Sequence, residues 1–81
     1  MAPVLRLVLD VLKPHDPDLV AFAEAVDESD GVAGVDASLV ETDREVENVI
    51  LTIEGQDVRF EAVEEVVTDL GGSIHSVDEV A

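Results

Sequence analysis

Two periodicities alternate along this chain. From Val4 to Leu12 apolar positions recur every second residue: Leu5, Leu7, Leu9 and Val11 fall on one side, Val4, Arg6, Val8, Asp10 and Leu12 on the other. This is the pattern of a strand, and Pro14 ends it. Asp16 followed by Pro17 reads as a helix start, with an acid to cap and a proline for the first helical position. Leu19, Phe22, Ala23 and Val26 then form a stripe at helical spacing that runs to about Glu28 and stops at Ser29-Asp30-Gly31.

Alternation resumes from about Gly34 to Thr42, where Val35, Ala37 and Leu39 oppose Asp36, Ser38 and Val40. Asp43-Arg44-Glu45 is a short polar turn, and a third strand follows from Val46 to Glu54, so the pair reads as a hairpin. Phe60, Val63, Val66, Val67 and Leu70 make a second helical stripe, which Gly71-Gly72 closes. Arg59 stands where a capping acid is expected before it. The last strand is Ser73 to Val80. Its facing is unresolved: Ile74 inward brings Asp78 with it, whereas Val77 inward brings His75 and Glu79, so a bulge is expected.

The order β-α-β-β-α-β is the split βαβ, ferredoxin-like arrangement of the α+β class. Right-handed crossovers give a four-stranded antiparallel sheet in the order 4-1-3-2, with both helices on one face. At 81 residues the chain reads as a single domain, 1–81, and one this short buries only about 60% of its unfolded surface. With two helices on one face, the other should be polar in a monomer. Instead Val4, Val8 and Leu12 of the first strand, Val40 of the second, and Val46 and Ile50 of the third are offered to it. A stripe of that kind marks an interface, so these six residues are the expected contact between copies in a homo-oligomer. The plainer reading is scattered surface valines.

Charge changes the picture of the solvent. Twenty acidic residues face four basic ones, a net charge of −16. High charge with few aromatics is a mark of disorder, but 47% of residues are hydrophobic and fall in ordered periods. At multimolar salt the Debye length shrinks to roughly 2 Å and self-repulsion fades. The acids are spread along the chain, as suits the salt-rich cytoplasm of a halophilic archaeon. Four cations build no basic patch, which argues against nucleic acid. No apolar run approaches the length of a membrane span, and the first residues lack a signal-peptide pattern. With no cysteine as well, the expected location is the cytoplasm.

Candidate chemistry gathers at one end of the sheet. His15 follows the first strand and His75 opens the fourth, and in this topology the two are expected side by side. Asp10 and Asn48 face the open side. Asp10, His15, Asn48, His75 and Asp78 are therefore the tentative ligand or metal residues, and imidazoles with carboxylates suit a divalent ion such as zinc or nickel. The spacing is no known metal motif. The plainer reading leaves Asp16 as a helix cap, His15 as a solvated loop residue and His75 packed on a strand neighbour. Glu41, Asp43, Glu45 and Glu47 around the turn offer carboxylates to calcium or magnesium, or are simply a solvated acidic surface. No catalytic residue is assigned: there is no thiol, the serines lack a nucleophile-elbow context, and Gly71-Gly72 follows a helix and so is no phosphate-binding fingerprint.

The stretches RLVLDVLKPHDP, GVDASLVETDREVENVILTIEG and GGSIHSVDEV together resemble the small archaeal proteins grouped as domain of unknown function two hundred and eleven. The resemblance runs from about Leu5 to Val80 and covers Asp10, Lys13, Pro14, His15, Asn48, Gly55, Gly72, His75 and Asp78. It implies a ferredoxin-like fold and homo-oligomers, assigns no role to any residue, and finds acids here where the relatives tend to carry lysine. The functional expectation is a non-enzymatic homo-oligomeric binding or regulatory module that takes a divalent metal or small ligand. A small enzyme with a His/Asp acid–base site, or a purely structural assembly subunit, are the alternatives.

Overall fold

A computed structural model describes residues 2–81. The elements run β1 (Arg6–Pro14), α1 (Leu19–Asp27), β2 (Val32–Thr42), β3 (Val46–Gly55), α2 (Phe60–Asp69) and β4 (Ser73–Val80). The strands form one antiparallel sheet in the order β2-β3-β1-β4. This is the ferredoxin-like α+β arrangement expected from the pattern.

Alternation along the central strands builds the core. Leu7, Leu9 and Val11 of β1 stand opposite Ile53, Leu51 and Val49 of β3, and all six are buried. Phe22 and Val26 of α1 and Val63 and Val67 of α2 close over them in one cluster, which puts both helices on the same face. Each such side chain contributes roughly 1.5–3 kcal/mol when withdrawn from water. Gly31 makes the turn out of α1 possible, with a φ of +83° that disfavours any side chain.

Several boundaries differ from the expected ones, each for a physical reason. β1 starts two residues later than Val4 and runs through Pro14, which pairs with Val46 at the end of the ladder, where a missing N–H is tolerated. Ahead of it, the Val4 carbonyl accepts the Val58 N–H at 2.8 Å. Val4 packs against the helix-side core and does not join Val8 on the open face. Leu5, expected inward, is exposed, because its backbone is bonded to Ala81 and Gly55 outside the β1 ladder. The cap of α1 is Asp18 and not Asp16: Asp18 has extended backbone and its Oδ1 accepts the Ala21 N–H at 2.9 Å. Asp16 and Pro17, joined by a cis peptide bond, lie in the connection ahead of it. Arg59, at the start of α2, makes no side-chain capping bond.

The facing of β4 is settled by two bulges. Val8 pairs with Glu79 and Leu9 with Val77, which leaves Asp78 as an extra residue; Asp10 pairs with Ser76 and Val11 with Ile74, which leaves His75 as another. Ile74 and Val77 can thus both stand opposite inward residues of β1.

Candidate functional site

The site lies on the sheet face that the helices leave uncovered. There β1, β3 and β4 bring Asp10, Asn48 and His75 around one concave space of about 280 Å³. Asp10 comes from an even position of β1, between inward Leu9 and Val11, so alternation points it to the open side. Asn48 stands opposite Leu12 in β1, one pair along from inward Val49. His75 reaches the same space because it is a bulge residue. The Asn48 amide nitrogen donates to the Asp10 carboxylate, and a long contact of 3.4 Å takes it towards the Val11 carbonyl. Glu41 of β2 and Asp43 of the following turn complete the polar wall, and Leu12 and Val46 supply an apolar one. Among the described residues, no basic side chain other than His75 lines the space. Arg6 is engaged by Glu79 and Glu54, Lys13 by Glu47, and Arg59 by Asp57.

Two of the five expected ligand residues stand apart. Asp78 accepts the Ser76 hydroxyl at 2.8 Å and does not reach the space. His15 does not meet His75. Its Nδ1 lies 3.0 Å from Glu47 Oε2, and its Nε2 lies 3.0 Å from the carbonyl oxygens of both Asp43 and Arg44. The imidazole is thus drawn to the β2–β3 turn by acceptors far from it in sequence. Among the described residues, no three His, Asp or Glu side chains are placed to hold a metal ion.

Beneath His15 lies a residue that pattern reading did not single out for its chemistry. Lys13 is fully buried. Its Nζ donates to Glu47 Oε1 and to the Pro14 carbonyl, each at 2.7 Å, and sits 5.8 Å from the centre of the Phe22 ring. The signal was present in the parity: Lys13 continues the inward series Leu7, Leu9, Val11. Glu47 therefore bridges a buried ammonium and a half-exposed imidazole. Hydrogen bonds from Lys13 and then His15 hold its carboxyl below the usual carboxylate range. In return the Glu47 carboxylate, with the Arg44 carbonyl, holds the His15 imidazole above the ordinary histidine value.

The chain is similar to known proteins along nearly its whole length. A family model described as uncharacterised ArCR proteins matches residues 5–81. An uncharacterised protein of Methanocaldococcus jannaschii is 42% identical over 80 residues, which is 99% of this chain and 82% of that protein. No helix among the described residues is long and apolar enough to cross a membrane.

Proposed function

The chain belongs to the family of uncharacterised ArCR proteins, domain of unknown function 211, and on that premise we propose that it is a non-enzymatic, self-associating binding module of a salt-adapted archaeon. Copies of the chain cover the open face of the sheet, and the pocket at the end of that face takes a small ligand. The observation that carries this reading is the company the pocket keeps. Val8, Leu12, Val46 and Ile50 share the helix-free face with the Asp10–Asn48 pair. A second copy is the occupant that suits it. The chain is short enough to be marginal alone, and Val8, Leu12, Val46 and Ile50 give the face an apolar strip among polar neighbours. Its bonded Asp10–Asn48 pair is the kind of feature that fixes register.

The acidic rim sets a condition. Glu41, Glu54 and Glu79 border the face, so at a net charge of −16 copies repel each other until salt screens them. Association is therefore a high-salt property in this reading. The ligand is a small organic cation rather than a metal. Asp10, Glu41 and Asp43 supply negative charge and Leu12 and Val46 an apolar wall, while three metal-ligating side chains do not converge. An acid–base enzyme is disfavoured because both ring nitrogens of His15 are already engaged and His75 has no carboxylate bonded to it.

Light scattering in concentrated potassium chloride tests the assembly: a dimer or larger species is expected, and a monomer removes that half of the reading. Thermal unfolding with a panel of small ammonium and guanidinium compounds tests the pocket. At least one is expected to raise the melting temperature in the wild-type chain and to lose that effect in Asp10→Asn, because a ligand specific for the folded state stabilises it. No shift across the panel leaves a purely structural subunit.

A further inference from the structure

We propose that His15 is a proton-operated latch that ties the β2–β3 turn, and with it one wall of the polar pocket, to the end of β1. The inference depends on the binding reading above only for its consequence to a ligand. The ladder between β1 and β3 ends at the Pro14–Val46 pair. Past that point the turn is closed on itself, by the Asp43 N–H to the Val46 carbonyl at 2.9 Å and the Arg44 N–H to Asp43 Oδ1 at 2.7 Å. The bonds that carry it back to the body of the sheet are those of His15. One residue joins the latch to the pocket: Asp43 offers its carbonyl to His15 Nε2 and also lines the 280 Å³ space.

The geometry requires a proton on each ring nitrogen. Carbonyl oxygens only accept, so Nε2, at 3.0 Å from two of them, must carry hydrogen. An ionised carboxylate only accepts, so Nδ1, at 3.0 Å from Glu47 Oε2, must carry hydrogen too. Only the imidazolium satisfies both. When it gives one proton to water, a lone pair is left facing either Glu47 or the two carbonyls, and one of the two grips is lost.

The surrounding charges keep this arrangement in place. Glu47 of β3 is held ionised by Lys13 of β1, so it does not supply the missing proton itself. Asp16 follows His15 in the chain, and Asp43, Arg44 and Glu45 make up the turn it grips. Raising the pH through the His15 titration therefore frees the turn and loosens the Asp43 wall, and lowering it closes the wall again.

The test is an NMR titration of the intact chain in concentrated potassium chloride, with the two histidine rings and the backbone amides followed together. His15 is expected to titrate above the ordinary histidine value, about 6.5. The exchange protection of the Asp43 amide, corrected for the intrinsic pH dependence of exchange, is expected to fall several-fold as His15 loses its proton. In His15→Gln, where an amide replaces the titrating ring, that fall should vanish while the far-ultraviolet spectrum stays unchanged. His75→Gln should keep it. A His15 that titrates at or below about 6.5, or Asp43 protection that does not follow the His15 curve, overturns the latch. Protection that follows the curve in a chain whose pocket takes no compound leaves the latch standing and removes the binding reading instead.

Discussion

Lys13 and Glu47 face each other across the β1–β3 ladder with Nζ and Oε1 2.7 Å apart, and the ammonium is wholly withdrawn from water. The two ends of this pair are not equivalent. Glu47 keeps some exposure and a second partner in His15; among the described residues Lys13 meets Glu47, the Pro14 carbonyl and the face of Phe22.

That asymmetry predicts the mutational order. Glu47→Gln leaves a buried cation without its counter-charge and is expected to destabilise the chain more than Lys13→Met, which keeps the apolar stem and leaves a carboxylate that water and His15 can reach. The double substitution should recover most of the loss of Glu47→Gln. Urea unfolding of the four proteins in the same concentrated salt measures the order, and a larger loss in Lys13→Met would contradict this account of the pair.

The backbone makes a second prediction. A Cβ at Gly31 would sit 1.9 Å from the Asp57 carbonyl oxygen, at a φ of +83°. The conformation alone costs a side chain about 1–3 kcal/mol, and the clash adds to it because backbone and not a flexible side chain must give way. Gly31→Ala is therefore expected to lose at least about 2 kcal/mol. Gly34, which has open space around its Cβ position, is the control: Gly34→Ala should cost little. Denaturant midpoints of the two variants check the contrast.

How far these features were legible in the sequence differs by kind. Alternation in Leu7, Leu9 and Val11 and helical spacing in Phe22, Val26, Val63 and Val67 sufficed for the element order and the sheet, because burial repeats locally. The same alternation placed Asp10 and Asn48 on the open side. It also pointed at Lys13, but an inward lysine has meaning only once the partner strand brings Glu47 opposite it. His75 entered the pocket through a bulge, whose need was evident from Ile74 and Val77 but whose position depends on pairing with β1. His15 was misplaced because its three acceptors lie about thirty residues away, on a turn whose reach over β1 no local pattern encodes. The proline after Asp16 marks it as the cap in the sequence, whereas the cap is Asp18, whose extended backbone lets its side chain accept the Ala21 N–H.

The open face supplies a third prediction. Ile50 stands opposite Asp10 in β1 and Ser38 in β2, at the middle of the face proposed to meet a second copy. Ile50→Glu removes an apolar contact worth roughly 1.5–3 kcal/mol and sets a charge beside Asp10. Association is expected to weaken by at least about tenfold, with the folded monomer retained by circular dichroism. Sedimentation in concentrated salt measures it; an unchanged oligomer would place the contact elsewhere on the molecule.

The last prediction follows from the opposite shifts of His15 and Glu47. The His15 value is raised by Glu47 and by the turn carbonyls, so the folded state binds its proton more tightly than the unfolded chain does. Its contribution to stability is therefore complete below the unfolded value, about 6.5, and is lost as the pH rises through the folded value. Glu47 is shifted downwards, by Lys13 first and His15 second, so its contribution is present above the ordinary carboxylate value and is lost as the pH falls through its own folded value. The two bound a window on the acid side of neutrality in which both are charged and the network is whole. The stability difference between wild type and His15→Gln should be largest inside that window and shrink towards zero on the alkaline side. Screening by salt weakens the charge attraction at an exposed ring but leaves the donor requirement of the two carbonyls untouched, so the alkaline loss should survive in concentrated potassium chloride. Denaturation midpoints of the two proteins across the pH range measure the difference; one that is flat with pH, or that grows as His15 is deprotonated, would mean that the imidazole holds the turn without its second proton.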